Sequence, residues 1–353
     1  MMYFMYAAFD IANMLIILAL VFMIVLLALF ERSVASRKVD APPSDHFDGT
    51  RFFNPNMPPR REEGPKDRSV WVWLLTRSRG NWRKLAVEQV RPHERVTDGL
   101  RITYVNHATV LLQFAGLNII TDPVWSYRVS PFSFMGPVRY AQPGIALHDL
   151  PPIDIVLLSH NHYDHMDIAT LAHITRTSNP RIYTGLGNAA YLERKGITGA
   201  VDMDWWERRA DGAVTIVSVP AQHFSARSLS DRNCTLWCGF VLETPLGNIY
   251  FAADTGIGPF VDSIKKAYGS FVFGFIPIGA YDPAWMMRPV HTDPEEALRM
   301  HDILNIRTSL GIHHGTFRLT DEPQNEPAER IERDRGQRDF RVLPNGGTVL
   351  LKV

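Results

Sequence analysis

Hydrophobic and polar positions follow three regimes along the chain. Residues 11–30, IANMLIILALVFMIVLLALF, are apolar except for Asn13 near one end. Twenty such residues at helical rise match the hydrocarbon core of a bilayer, so this run predicts a transmembrane helix. A cleaved leader fits less well: no Lys or Arg precedes the run, it is too long, and Glu31 and Arg32 follow it where small residues would be needed. Residues 41–66 are rich in Pro, Asp, Arg and Gly without periodicity, which predicts an extended connector over the surface. SVWVWLL then begins at Ser69, followed by Arg77, Arg79, Trp82, Arg83 and Lys84. Mixed Trp and basic residues suit a membrane interface, and equally a partly buried helix packed on the domain.

From Arg101 the pattern changes to short apolar runs separated by turns. RITYV, TVLLQF and LNIIT predict three strands joined through Asn106-His107 and Ala115-Gly116. IDIVLLS, at 153–159, is continuous enough for a strand buried on both faces. Residues 168–177 and 188–195 read as helices; VTIVSVP, LWCGFVLET and NIYFAAD read as strands, with a hairpin turn at 245–248. FVFGFIPI is a further buried strand, and 294–304 a helix capped by Thr292 or Asp293. SLGIHHGT and RVLPNGGTVLLKV complete the chain. Hairpins followed by alternating strands and helices predict an α/β fold of two packed mixed sheets with helices outside. The expected organisation is an anchor with its flanks over 1–38, a linker and interfacial segment over 39–100, and one globular domain over 101–353.

Charge and cysteine content narrow the function. Thirty-seven Lys and Arg balance 37 Asp and Glu, which argues against a nucleic-acid partner. The two cysteines, Cys234 and Cys238, are too few for a disulfide scaffold or a thiolate metal site and read as ordinary thiols. Arg32, Arg37 and Lys38 follow the apolar run whereas Asp10 precedes it, so the positive-inside rule places the globular domain in the cytoplasm.

The buried strand at 153–159 runs directly into His160-Asn161-His162-Tyr163-Asp164-His165-Met166-Asp167. Imidazole and carboxylate are ligands for zinc, iron or manganese. His160, His162, Asp164 and His165 crowd six positions, and buried unpaired groups of this kind are costly, so the loop predicts a metal site able to serve two adjacent ions. His223 ends the run VTIVSVPAQH, Asp254 ends NIYFAAD, and His313 follows SLGI with His314 beside it. Each would be unremarked alone; together they are ligand types at successive strand ends. His46, His93, His148, His173 and His301 lack such context and read as structural or exposed.

H-x-H-x-D-H after a buried strand resembles the signature of the metallo-β-lactamase superfamily. The resemblance is closest to the N-acyl-phosphatidylethanolamine-hydrolysing phospholipase D family and its bacterial relatives. It is carried by NHATV at 106–110, LPPIDIVLLSHNHYDHMD at 150–167, PAQH at 220–223, ADTG at 253–256, IPIGAYDPAW at 276–285, HTDPEE at 291–296 and IHHGTF at 312–317. It implies a four-layer αββα sandwich and two divalent metal ions, with zinc as the default. It implies one ion on His160, His162 and His223, a second on Asp164, His165 and His313, and Asp254 bridging both; it favours His313 over His314. It also places His291 near a substrate phosphate, where it would bind an oxygen or protonate the leaving group. Asp122, Asp167 and His107 would orient the ligands. Asn106 replaces a glycine frequent in relatives.

The implied chemistry is hydrolysis by a metal-bridging hydroxide, with Asp254, Asp164 and His291 in the catalytic machinery and no side-chain nucleophile. The implied substrate is a membrane lipid of the N-acyl-phosphatidylethanolamine type, and the implied assembly a homodimer. With the apolar run this predicts a single-pass protein of the cell membrane. Two other readings compete: a lactonase or esterase acting on a soluble phosphorylated small molecule, and a non-catalytic, metal-stabilised membrane scaffold. A β-lactam substrate fits a cytoplasmic domain poorly.

Overall fold

The computed structural model describes residues 2–55, 57, 70–77 and 81–351. Most of the second half of the expected connector, together with Ser69 and Arg79, lies outside the described residues.

Helix α1 (Met2–Val34) contains an apolar window, Ile16–Val34, with mean hydropathy 2.4 and none of it buried against the rest of the chain. By length and composition it can cross a membrane. Helix α2 (Val70–Thr76) is short, and its Trp73 indole donates to Asp321 Oδ2 at 2.6 Å. Trp82 donates to the Glu322 carbonyl at 3.1 Å. Both indoles are thus spent on the domain. The segment before them also differs from a loose connector: Phe47 and Phe52 are buried against Leu236 and Trp237. The Pro-, Asp- and Arg-rich stretch hides this because its few large apolar residues follow no period.

The domain begins with strands β1 (Leu100–Asn106), β2 (Thr109–Phe114), β3 (Leu117–Thr121) and β4 (Ile155–Leu158). Helix α3 (Ile168–Ser178), β5 (Arg181–Gly185), α4 (Asn188–Arg194) and β6 (Ala200–Met203) follow. Then come β7 (Arg208–Asp211), β8 (Val214–Val219), β9 (Gly239–Thr244) and β10 (Gly247–Phe251). Helix α5 (Phe260–Tyr268), β11 (Phe271–Pro277), α6 (Ala284–Met287), α7 (Pro294–Ile303) and β12 (Ile306–Ile312) follow these. Helix α8 (Glu326–Asp334), β13 (Phe340–Arg341) and β14 (Thr348–Leu351) end the fold.

Two seven-stranded sheets result, ordered β14-β1-β2-β3-β4-β5-β6 and β13-β12-β11-β10-β9-β8-β7. Every residue of β2 and β4 is buried, because each faces the partner sheet on one side and helices or loops on the other. Between the sheets Ile102, Leu112, Leu157, Phe240, Phe251 and Phe275 interlock. Each such side chain contributes roughly 1.5–3 kcal/mol relative to exposure. α3 and α4 cover one outer face, through Leu171, Ile174 and Leu192; α5, α7 and α8 cover the other. α7 starts at the expected place, with Asp293 and Glu296 forming a capping box.

Strand direction positions the chemistry. β9 is antiparallel to both β8 and β10, while β11 and β12 run parallel to β10. β8, β10 and β12 therefore end on the same edge of their sheet, releasing the loops that hold His223, Asp254 and His313. β4 releases the 160–167 loop from the facing sheet.

Candidate metal centre

The four loops bring their polar side chains into one buried cluster. His160, Asp164, His165, His223, Asp254, His291 and His313 are all buried, and His162 is half-buried. His162 Nδ1 lies 2.8 Å from His160 Nε2 and 3.2 Å from His223 Nε2. Asp254 Oδ2 lies 3.1 Å from both His165 Nε2 and His313 Nε2, and 3.7 Å from His223 Nε2. Asp164 Oδ2 lies 3.5 Å from His165 Nε2 and 3.4 Å from His313 Nε2. Four ligand-type groupings overlap among the described residues: His160–His162–His223, His107–Asp164–His165–His313, Asp122–His160–His165 and His223–Asp254–His291. Asp254 touches members of the first two. His291 Nδ1 stands 4.0 Å from Asp254 Oδ2, on the side of His223.

Hydrogen bonds at the far side of each ring decide which nitrogen faces inward. Asp122 is fully buried and accepts from Ser159 N at 2.7 Å, Ser159 Oγ at 2.6 Å and His165 Nδ1 at 2.7 Å. Ser159 Oγ, its own proton engaged, accepts from His160 Nδ1 at 2.8 Å. The Val290 carbonyl accepts from His223 Nδ1 at 2.9 Å. All three rings thus donate from Nδ1 and turn Nε2 into the cluster, the nitrogen that a metal-bound imidazole uses. His107 Nε2 donates to Asp164 Oδ2 at 3.0 Å and steadies that carboxylate.

Backbone geometry is strained at the same places. His107, Asp122, Ala253 and His313 have φ of 48°, 31°, 55° and 61° although none is glycine. Such residues cost free energy and cluster where the structure needs a particular aim. Gly279 makes the His313 turn feasible, because a Cβ there would fall 2.2 Å from the His313 carbonyl oxygen.

The electrostatics suit cations. Burial pushes His160 and His223 well below the ordinary imidazole range and His162 down to about 4, so these rings stay neutral. Burial alone would raise the Asp164 and Asp254 carboxyls, but the neighbouring imidazoles hold both well below their usual range. Burial opposes charge on His165 and His313 as well; Asp254 and Asp164 outweigh it, raising His165 and lifting His313 to about 9. Two buried carboxylates therefore demand positive charge beside them. His165 Nε2, His313 Nε2 and Asp254 Oδ1 are buried without a hydrogen-bond partner. Such orphaned atoms, converging with neutral imidazoles, fit a divalent metal centre.

Not every expected residue joins the cluster. Asp167 caps α3, accepting from Ala169 and Thr170, and binds Trp125 N, Ser126 N and Ser126 Oγ. Its carboxylate is consumed by these backbone and hydroxyl donors and bonds no ring, so it supports the loop instead of orienting a ligand. His314 turns away from His313, stacking on Tyr104 at 5.8 Å. It lines a cavity of about 620 Å³ with Leu85, Val87, Ala328 and Leu343, away from the cluster. Asn106 accepts from Arg139 Nη1 at 2.9 Å and donates to the Val124 carbonyl at 3.2 Å. His46, read as structural, lies between Asp45 and Asp204.

Three supporting groups have no local sequence signal. Ser159 and the Val290 carbonyl orient rings only because the chain folds back on itself. Arg227 is buried, donates to the Asn161 and Met166 carbonyls at 2.8 and 2.9 Å, and stacks over Tyr163 at 4.0 Å. It clamps both ends of the ligand loop from 60 residues downstream.

A family model described as a beta-lactamase superfamily domain matches residues 117–314. The N-acyl-phosphatidylethanolamine-hydrolyzing phospholipase D 1 of Caenorhabditis elegans is 38% identical over 250 residues, covering 66% of this chain and 69% of that protein. The mitochondrial N-acyl-phosphatidylethanolamine-hydrolyzing phospholipase D of Saccharomyces cerevisiae is 34% identical over 238 residues, 65% of this chain and 50% of that protein. An uncharacterised protein of Mycobacterium bovis is 39% identical over 237 residues, and the match spans 63% of it. Among solved structures, an isothiocyanate hydrolase from Delia radicum gut bacteria superposes with a TM-score of 0.59 at 22% identity, covering 72% of this chain and 100% of that one. Igni18, a metallo hydrolase from Ignicoccus hospitalis, gives 0.56 at 21% identity, covering 72% and 99%. These two likenesses show the shared fold.

Proposed function

The chain is a metallo-hydrolase of the metallo-β-lactamase superfamily, related to the N-acyl-phosphatidylethanolamine-hydrolysing phospholipase D family, and from that premise we propose that it is a membrane-anchored phosphodiesterase of the phospholipase D type. Its substrate is an N-acyl-phosphatidylethanolamine-like lipid, cleaved to a phosphatidic acid and an N-acylethanolamine. One observation carries the dinuclear reading: a single carboxylate, Asp254, lies within 3.1–3.7 Å of imidazole nitrogens from both halves of the cluster.

His160, His162 and His223 would hold one ion and Asp164, His165 and His313 the other, with Asp254 placed to serve both. When bound, two divalent cations, zinc by default, would supply Lewis acidity towards a phosphoryl oxygen and lower the pKa of a water towards about 7. The protein's own groups do the rest. Asp122, Ser159 and the Val290 carbonyl fix the rings, and His107 fixes Asp164. His291 Nδ1 is buried and without a partner, aimed at the same space as Asp254, and serves to hold a substrate oxygen.

The relatives named as lipases support the substrate, and α1 supports a site held beside a bilayer. Arg32, Arg37 and Lys38 favour a single-pass anchor with the catalytic domain in the cytoplasm. A homodimer belongs to the same reading. The test is turnover of N-acyl-phosphatidylethanolamine by detergent-purified protein, as wild type, metal-stripped, reloaded, and as Asp254→Asn. Release of N-acylethanolamine that needs metal and is lost in Asp254→Asn supports the lipase. No turnover by protein shown to hold two ions refutes that substrate and moves the assignment to a soluble phosphorylated ester or lactone.

A further inference from the structure

The end of α1 is not free of the domain. Ser230 N donates to Glu31 Oε1 at 2.8 Å, Lys195 Nζ to the Ser33 carbonyl at 2.8 Å, and Arg194 Nη2 to the Ala35 carbonyl at 2.6 Å. Ser36 N donates to the buried Asp231 carboxylate at 2.7 Å. Phe30, the last apolar residue of the run, stacks on Phe132 with ring centroids 4.8 Å apart and planes 12° from parallel. The depth at which the helix leaves hydrocarbon is thereby tied to two loops, 125–137 and 224–233.

Both loops expose large apolar side chains at that level. Leu229 is 95% exposed and adjoins Ser230, whose backbone amide is bonded to Glu31. Phe134 is 75% exposed and its ring lies 5.5 Å from that of Phe132; Met135 is 53% exposed. Single exposed apolar residues are ordinary. Three at the exit of an apolar helix, on two loops bonded to or stacked on that helix, are not explained by chance exposure. Arg32 and Arg194 are exposed beside them, as befits the headgroup layer.

We propose that the tips of these two loops form a second membrane contact: Phe134, Met135 and Leu229 enter the boundary between headgroups and acyl chains next to α1. This rests on the reading of α1 as an anchor and goes beyond it, because one helix followed by a connector fixes no orientation whereas three points do. The loops also border the metal centre. The Phe224 ring meets His162 at 4.5 Å, with the Arg232 guanidinium stacked over it at 4.0 Å. Asn161, inside the ligand loop, donates to Ser36 Oγ at 3.0 Å. The segment that begins at the metal-facing Phe224 thus ends at the bilayer-facing Leu229.

The test uses the full chain in phospholipid nanodiscs. Cys234 and Cys238 are both buried, so an introduced surface cysteine alone takes an environment-sensitive fluorophore. Probes are placed at Phe134→Cys and Leu229→Cys, at Leu20→Cys within α1, and at Lys266→Cys on α5, which covers the opposite outer face. Phospholipids with brominated acyl chains serve as quenchers. The proposal expects loss of emission at 134 and 229 comparable with that at 20, and none at 266. Quenching at 20 with either loop position behaving like 266 overturns the second contact and leaves the anchor standing. Absence of quenching at 20 overturns the anchor reading and this proposal with it.

Discussion

Asp122 is two bonds removed from any proposed ion, yet the cluster depends on it, and Asp122→Asn isolates why. The substitution keeps shape and removes charge. In the native site both carboxylate oxygens accept: one from Ser159 N at 2.7 Å, the other from Ser159 Oγ at 2.6 Å and His165 Nδ1 at 2.7 Å. An asparagine Oδ1 can still serve Ser159 N. Its NH2 then stands where an acceptor is needed and confronts the His165 Nδ1–H. The imidazole escapes by moving its proton to Nε2, the atom 3.1 Å from Asp254. A protonated Nε2 has no lone pair for a cation. Losing an orienting partner of this kind lowers metal affinity about 10–100-fold, which is about 1.4–2.8 kcal/mol. One mispaired buried group also costs about 1–3 kcal/mol of folding stability. The assay is competition with a chromophoric chelator for each metal equivalent, with thermal unfolding alongside. Expected is weakened binding of one equivalent and a matching fall in turnover. Wild-type affinity for both equivalents, whatever the melting temperature, refutes the tautomer argument.

Other consequences follow from particular contacts. His313→Ala should lose one of two metal equivalents by elemental analysis, whereas His314→Ala should keep both, since its ring stacks on Tyr104; metal loss in His314→Ala would reverse the assignment. Phe275→Ala empties a fully buried position between the sheets, where Phe273 lies 5.1 Å away. It should cost about 3–5 kcal/mol in denaturant unfolding, and a cost below about 1 kcal/mol would mean the site collapses around the gap. His46 titrates with the packing of the segment around Phe47. Burial lowers its pKa, but hydrogen bonds to Asp204 and Asp45 outweigh this and the net shift is upward from 6.5. A raised folded-state pKa gives stability that is complete below pH 6.5 and lost as pH rises through the folded value. Amide exchange over 44–53 should therefore quicken as pH rises through neutrality, relative to His46→Gln at each pH; identical profiles would exclude a role for the charge.

What could be read locally was read well, because local patterns carry it. The ligand loop places His160, His162, Asp164 and His165 in one stretch, and a buried strand before it announces a rigid support. β1 to β3, the α3 and α4 helices and the start of α7 at Thr292 or Asp293 declare themselves through periodicity and through side chains that bond their own backbone. α5 and α8 have no such signal; six of the nine residues of α8 are charged, and it buries only Pro327 and Ile331. β5, β6 and β7 are four or five residues long, too short for a period to stand out. In LWCGFVLET the strand starts only at Gly239, since Trp237 and Cys238 are buried by the loop packing before it.

The sequence by itself determined the residue types of the centre, their order and the apolar N-terminal helix, because each is a property of neighbours along the chain. Only the tertiary structure decided which nitrogen each ring presents, that Asp167 is spent on α3 and Asp122 is not, and that Arg227 clamps the ligand loop. It also decided that the end of α1 stacks on Phe132 and is bonded to the 224–233 loop. The reason is physical: a tautomer, a buried charge or a common surface is set by groups brought within a few ångströms from distant parts of the chain, and no pattern confined to one segment encodes such a meeting.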